Sequence, residues 1–207
     1  AIGRDEKFLV HALTHDRSTV DAVRRQIDAA RQTGSVSVEF LDGATLPYVD
    51  NLVNLVVVEQ AGGVSSGEIM RVLVPNGVVC LRDGKHWRCR TKPRPESIDQ
   101  WTHYLHDAGN NAVANDMLVG PPRSLQWGAP PLWLRSHETS SGIQSPVSAD
   151  GRLFYFLDDG PIGITDERLP DLWSLVCRDA FNGKLLWKRS LDAWGWREWS
   201  REKYEGK

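Results

Sequence analysis

Tryptophan is missing from the first 86 residues and then occurs nine times. That break divides the chain into two compositional halves. Cysteine is scarce and odd in number: Cys80, Cys89 and Cys177, with no C-x-x-C pair and no C-x-x-C-H. A zinc knuckle and a c-type haem attachment are therefore unsupported. Cys80 and Cys177 sit in apolar strand-like runs that suit buried thiols, and a Cys80–Cys89 disulfide is left open. Neither charge sign is in excess. Lys and Arg total 25 against 27 Asp and Glu, a net charge of −2, so no nucleic-acid or anionic-membrane partner is expected. Long apolar runs are absent too. The longest, Leu52 to Val58, is interrupted by Asn54 and is too short to cross a bilayer. Gly-x-Ser-x-Gly, P-loop and H-E-x-x-H patterns do not occur, which removes support for those hydrolase and nucleotide chemistries. The chain opens "AIGRDEKFLV", without Met or a basic n-region. The expectation is a removed leader or an internal piece of a longer polypeptide.

The first half alternates strand and helix signals. "KFLVHAL" (Lys7 to Leu13) reads as a short buried strand. In "STVDAVRRQIDAARQTG", Ser18 is the expected N-cap and Gly34 the C′ residue, with Val20, Val23, Ile27 and Ala30 on one helical face. "SVSVEFL" alternates like a strand and ends at Asp42-Gly43. "NLVNLVVVE" (Asn51 to Glu59) is a nearly continuous apolar strand, typical of one covered on both faces. A short helix is expected from about Ser66 to Leu73, closed by Pro75-Asn76-Gly77, before the strand "VVCLRDG". The order β-α-β-β-α-β favours an open, mostly parallel sheet.

In "VSVEFLDGATLPYVDNLVNLVVVE" followed by "EIMRVLVPNGVVCL", the segment resembles the class I S-adenosylmethionine-dependent methyltransferase domain over roughly Lys7 to Arg82. The resemblance implies an α/β Rossmann-like fold lacking its first strand and Gly-rich loop. It implies cofactor contacts at Asp42, near the adenine, and at Asp16, two residues past the ribose position occupied by Thr14. Asn54 stands where the family usually has an acidic residue. The expected segment is a degenerate, non-catalytic remnant spanning 1–84, with no catalytic residue assigned.

A bridge, 85–141, carries prolines 93, 95, 121, 122, 130 and 131. Ser97 to Asp107 is expected to form a short helix, placing His103 and His106 one turn apart beside Asp107. Two His at that spacing with a carboxylate suit a divalent cation. A complete ligand set would need a further residue such as His137. The competing reading has them packing and hydrogen-bonding at a junction with Trp101 and Tyr104.

The last part, 142–207, begins with the strand signal "SPVSADGRLFYFLDDG", in which Gly151 turns. "WSLVCRDAFNGKLLWKRSL" then reads as a hairpin, with a type I′ turn expected at Asn182-Gly183 and Trp187 expected to be packed. Its "DAFNGKLLW" resembles the repeat of pyrroloquinoline-quinone-type β-propellers. "DQWTHYLHDAGNNAVANDMLVGPPRSLQW", "GRLFYFLDDGP" and "RDAFNGKLLWKR" resemble planctomycete-type quinoprotein-like propeller repeat proteins with a methyltransferase-like prefix. This resemblance implies the start of an all-β propeller, about one blade of the four to eight a propeller needs. It also implies export to the periplasm or beyond, S-adenosylmethionine or calcium-bound pyrroloquinoline quinone as conceivable cofactors, and other protein chains or the rest of its own chain as partners. Two functions follow as alternatives. One is a non-catalytic binding or scaffold protein in a larger assembly. The other is an enzyme, a methyltransferase or quinone-dependent dehydrogenase whose site lies largely elsewhere.

Overall fold

A computed structural model describes residues 8–118, 120, 125–134, 142–162 and 172–192. The chain divides between Lys92 and Pro93 into two compact units.

The first unit opens with strand β1 (Val10–Thr14), helix α1 (Arg17–Ala29) and strand β2 (Val36–Phe40). β1 and β2 pair in parallel, from Val10 opposite Val36 to Thr14 opposite Phe40. Val20, Val23 and Ile27 of α1 bury one helical face against Val36, Val38 and Phe40, as the 3.6-residue spacing requires. The N-cap is Asp16, not Ser18: its carboxylate accepts from the Ser18 amide at 2.9 Å. Asp reaches a free first-turn amide as readily as Ser does.

Strand β3 (Val53–Val58), helix α2 (Ser66–Val72), strand β4 (Leu73–Asp83) and strand β5 (His86–Thr91) follow. β3 and β4 are parallel, β4 and β5 antiparallel. Ile69, Leu73 and Val79 form the core beneath α2, with Val56 and Val58 against it. β4 runs straight through Pro75-Asn76-Gly77, where the sequence suggested a stop. Asn76 takes φ 64° and the register slips between Val53 and Leu55, so the proline sits at an irregularity where its missing N–H costs no ladder bond. Gly77 is required by space: a Cβ there would meet the Val74 carbonyl oxygen at 2.8 Å. β5 belongs to the first unit, and the bridge expected to begin at 85 starts only after it. The Gly84-Lys85 turn has positive φ only at Gly84 (60°), the pattern of a type II′ hairpin.

The second unit contains one antiparallel sheet in the order β6 (Ile143–Ala149), β7 (Arg152–Asp158), β8 (Trp173–Asp179), β9 (Leu185–Ser190). Tyr155, Leu157 and Val176 are its core, joined by Leu134 and Leu153. The type I′ turn lies at Asp150-Gly151, with φ 48° and 71°, and not at Asn182-Gly183. There, five residues, 180–184, connect β8 to β9 and only Gly183 has positive φ (71°). The Asp179 carboxylate captures the amides of Phe181 (2.9 Å) and Asn182 (3.1 Å). This holds both residues in a helix-like turn and displaces the two-residue alternative.

These observations overturn the expected fold class. The described residues hold two helices and three small sheets of two, three and four strands, none closed. The β1–β2 pair shares no ladder with β3–β4–β5. The single open sheet of a Rossmann-like segment is therefore not formed, and no propeller is present among the described residues. The local strand–helix–strand pattern sets each parallel pair but does not dictate how the pairs join. Trp187 is also not packed as expected. It is 38% exposed on an edge strand that is exposed along its whole length, its ring tilted against Phe154 at 6.1 Å between centroids.

Candidate functional site

Asp16 and Asp42 follow the carboxyl ends of β1 and β2. Asp16 accepts hydrogen bonds from the Ser18 hydroxyl (2.7 Å) and the Thr19 hydroxyl (2.6 Å) as well as from the Ser18 amide. The Thr19 and Ser18 bonds hold its carboxyl below the usual range. Both carboxylate oxygens are thus engaged in capping α1, and Asp42 stands exposed in the loop beyond β2. That arrangement does not fit a ribose-gripping carboxylate of an S-adenosylmethionine site. A quinone with calcium finds no funnel in one open sheet.

The Ser97–Asp107 segment is not helical. It is a chain of turns in which His103 and His106 face each other across an isolated antiparallel bridge. The two rings separate. His103 Nδ1 lies 2.9 Å from the Thr102 hydroxyl at the surface. His106 is only 4% exposed, with φ 69°. Its Nε2 lies 2.8 Å from Asp99 Oδ2 and its Nδ1 lies 3.4 Å from Asp107 Oδ2. Trp101 meets it edge-on at 5.3 Å and donates its indole N–H to the Tyr104 carbonyl. Asp99 also accepts from the Asn115 and Gln100 amides, which hold its carboxyl below the ordinary value. Through the Trp101 carbonyl to the Ser148 amide (2.7 Å), and Gln100 Oε1 to the Asp150 amide (2.7 Å), the segment is fastened to β6 and its turn. Chemically this is a latch: both nitrogens of a buried imidazole lie against carboxylates. Among the described residues no group of three or more His, Cys, Asp and Glu is placed to hold a metal ion. His137 lies outside the described residues.

Sequence reasoning passed over a second charged cluster. Arg71 of α2 makes a two-pronged contact with Glu68 (2.9 and 2.7 Å) and donates to Asp50 (2.7 Å) and to the Tyr48 and Leu46 carbonyls (2.8 and 3.2 Å). The Arg71 hydrogen bonds, followed by the Leu46 amide, hold Glu68 down to about 2. The same loop reaches β1, where the Tyr48 hydroxyl is hydrogen-bonded with His11 Nδ1 at 2.8 Å. Burial, reinforced by Glu39, pushes the Tyr48 phenol up to about 12, so it stays protonated. Lys92 ends β5 by donating to Asn51 Oδ1 and to the Met70 and Leu73 carbonyls, each at 2.7 Å. It thereby satisfies carbonyls left unpaired where α2 ends. The sequence signal was present: Glu68 and Arg71 stand i, i+3 on a helix.

What these anchors hold in place is the β3–β4–β5 sheet. α2 covers one face. The other carries Leu55 (37% exposed), Val57 (44%) and Trp87 (46%) around a Cys80–Cys89 disulfide that links directly opposed residues of β4 and β5. Every residue of β5 is exposed.

No protein-family model matches the chain, and no curated protein matches it. Among solved structures, the crystal structure of the cyclase SpnF is similar at 22% identity, with a TM-score of 0.35, over 39% of this chain and 32% of SpnF. The chain spans about a third of SpnF's length, and a likeness of that size carries no argument. The methyltransferase and quinoprotein-propeller resemblances are thus corrected: neither these comparisons nor the three separate sheets support them.

Proposed function

We propose that this chain is a non-catalytic binding module that works inside a larger protein assembly. The observation that carries the reading is the exposed apolar face of β3–β4–β5. Soluble monomers rarely leave large contiguous apolar surface in water, and here three large side chains surround a disulfide on one sheet face. The polar groups singled out from the sequence support the same view. Asp16 caps a helix and His106 ties its own segment together through Asp99 and Asp107. Export to an oxidising compartment fits the Cys80–Cys89 disulfide. No helix among the described residues is long and apolar enough to cross a membrane. Chemical cross-linking of the native protein in its own extract, followed by sedimentation, tests the reading. Recovery in a species heavier than the chain itself is expected. A free monomer that forms no cross-links would contradict it.

A further inference from the structure

We propose that β5 is a docking strand: an extended, acidic segment of a partner protein adds to it as the fourth strand of the β3–β4–β5 sheet. The inference rests on the binding-module reading and specifies the chemistry of the partner.

β5 is the edge of its sheet, and the phase of its ladder tells which backbone groups are spare. Cys80 and Cys89 stand opposite each other with Cα atoms 4.1 Å apart, the close spacing of a pair that does not exchange hydrogen bonds. The N–H and C=O groups of Cys89, and by the two-residue period those of Trp87 and Thr91, therefore point away from β4. Three alternate residues each offer an outward donor and acceptor, which is the requirement for strand addition.

Side chains set the rest. His86, Arg88 and Arg90 project to one face, and Trp87, Cys89 and Thr91 to the other. No acidic residue lies in β5. Asp83 pairs with Arg88 at 2.6 Å, while among the described residues no carboxylate pairs with Arg90. An incoming strand would lay acidic side chains beside the arginines and apolar ones beside Trp87 and the disulfide. The matching sequence alternates acidic and apolar residues over about six positions, the usual length of a strand. A purely defensive edge also uses charge to repel other strands. It would not, however, favour one alternating pattern over another of equal composition.

The experiment uses the full chain and a synthetic peptide alternating glutamate and valine. Its controls are a block-scrambled peptide of the same composition, the alternating peptide N-methylated at every second amide, and a deoxythymidine oligonucleotide. Calorimetry should show binding of the alternating peptide alone. Arg90→Glu should weaken that binding about tenfold, because attraction becomes repulsion. Arg90 is exposed, and circular dichroism of the variant verifies its fold. Equal binding of the scrambled or methylated peptide, tighter binding of the oligonucleotide, or self-association through β5 that R90E abolishes would each overturn the proposal. Failure of the peptide while the native protein still sediments in an assembly overturns the docking strand alone. A free native monomer removes the reading beneath it.

Discussion

β5 and β9 invite comparison. Each follows a Gly-containing turn, each forms the edge of its sheet, each is exposed from end to end and each carries one tryptophan. Their charges are used differently. In β9, Lys188 is bound to Asp159 at 2.6 Å and Arg189 lies over the Trp187 ring at 5.8 Å. The turn before it is clamped from behind, with the Trp127 indole donating to the Ala180 carbonyl and buried Arg178 donating to the Gly183 carbonyl. β5 is held by a disulfide and by Lys92 at its end, and among the described residues no carboxylate pairs with Arg90. Exposure alone therefore does not mark a docking edge; exposure with unspent charge does.

Breaking the clamp on β9 should have the largest effect. Arg178 donates to the Tyr155 hydroxyl and to the Gly183 and Pro130 carbonyls at 2.8 to 2.9 Å. Arg178→Met strands these partners and should cost the second unit about 3 kcal/mol in denaturant titration. A loss below about 1 kcal/mol would show that the clamp is incidental. Opening the Cys80–Cys89 link comes next. The bridge closes a short loop, so the double alanine variant should cost the first unit about 2 to 3 kcal/mol, read by amide exchange of β4 and β5. The second unit should be unaffected, and a matching loss there would erase the contrast.

Acid separates the units further. Glu68 is held at about 2 in the folded chain against an ordinary 4.5. A depressed carboxyl contributes stability above its unfolded pKa and loses it as pH falls toward the folded one. The first unit should therefore weaken between about pH 4.5 and 2, and Glu68→Gln should flatten that limb. An unchanged acid limb in E68Q would remove Glu68 from the account. The smallest effect sharpens the comparison most. Lys188→Ala should cost about 0.5 kcal/mol, as an exposed ion pair does, whereas Arg90→Ala should leave stability unchanged. Equal costs would mean that Arg90 is also committed to the fold.

The elements were legible where periodicity spoke. The α1 face and the β2, β3, β7 and β8 runs lie close to where the pattern put them. Three things were not legible. The turn chemistry at 182–183 was decided by Asp179, a side chain outside the Asn-Gly pair. The β4–β5 hairpin is hidden because Asp83-Gly84 looks like the end of a strand, although "LRDGKHWRCR" alternates on both sides of it. The joining of sheets is a tertiary outcome that local pattern does not encode, which is why the expected single sheet was wrong. For the site, Asp16, His103, His106 and Asp107 were noticed as residue types that bear chemistry. Sequence did not show that Asp16's oxygens were already satisfied locally. Nor did it show that His106 would turn inward, toward Asp99, while His103 stayed outside. Arg71 and Lys92 went unnoticed because many of their partners are backbone carbonyls scattered along the chain, and Tyr48 because its partner, His11, is distant in sequence.

Residue-resolved amide exchange, with and without the alternating acidic peptide, tests the central claim most directly. In the free chain the Trp87, Cys89 and Thr91 amides should exchange fast and those of Arg88 and Arg90 slowly, because the ladder's phase turns only the first set outward. Adding peptide should slow Trp87, Cys89 and Thr91. It should leave Lys188 and Ser190 of β9 untouched; those amides alternate with the Leu191 amide, which bonds inward to the Trp173 carbonyl. Protection that spreads equally over both edges, or that appears on β9 and not β5, would contradict the account.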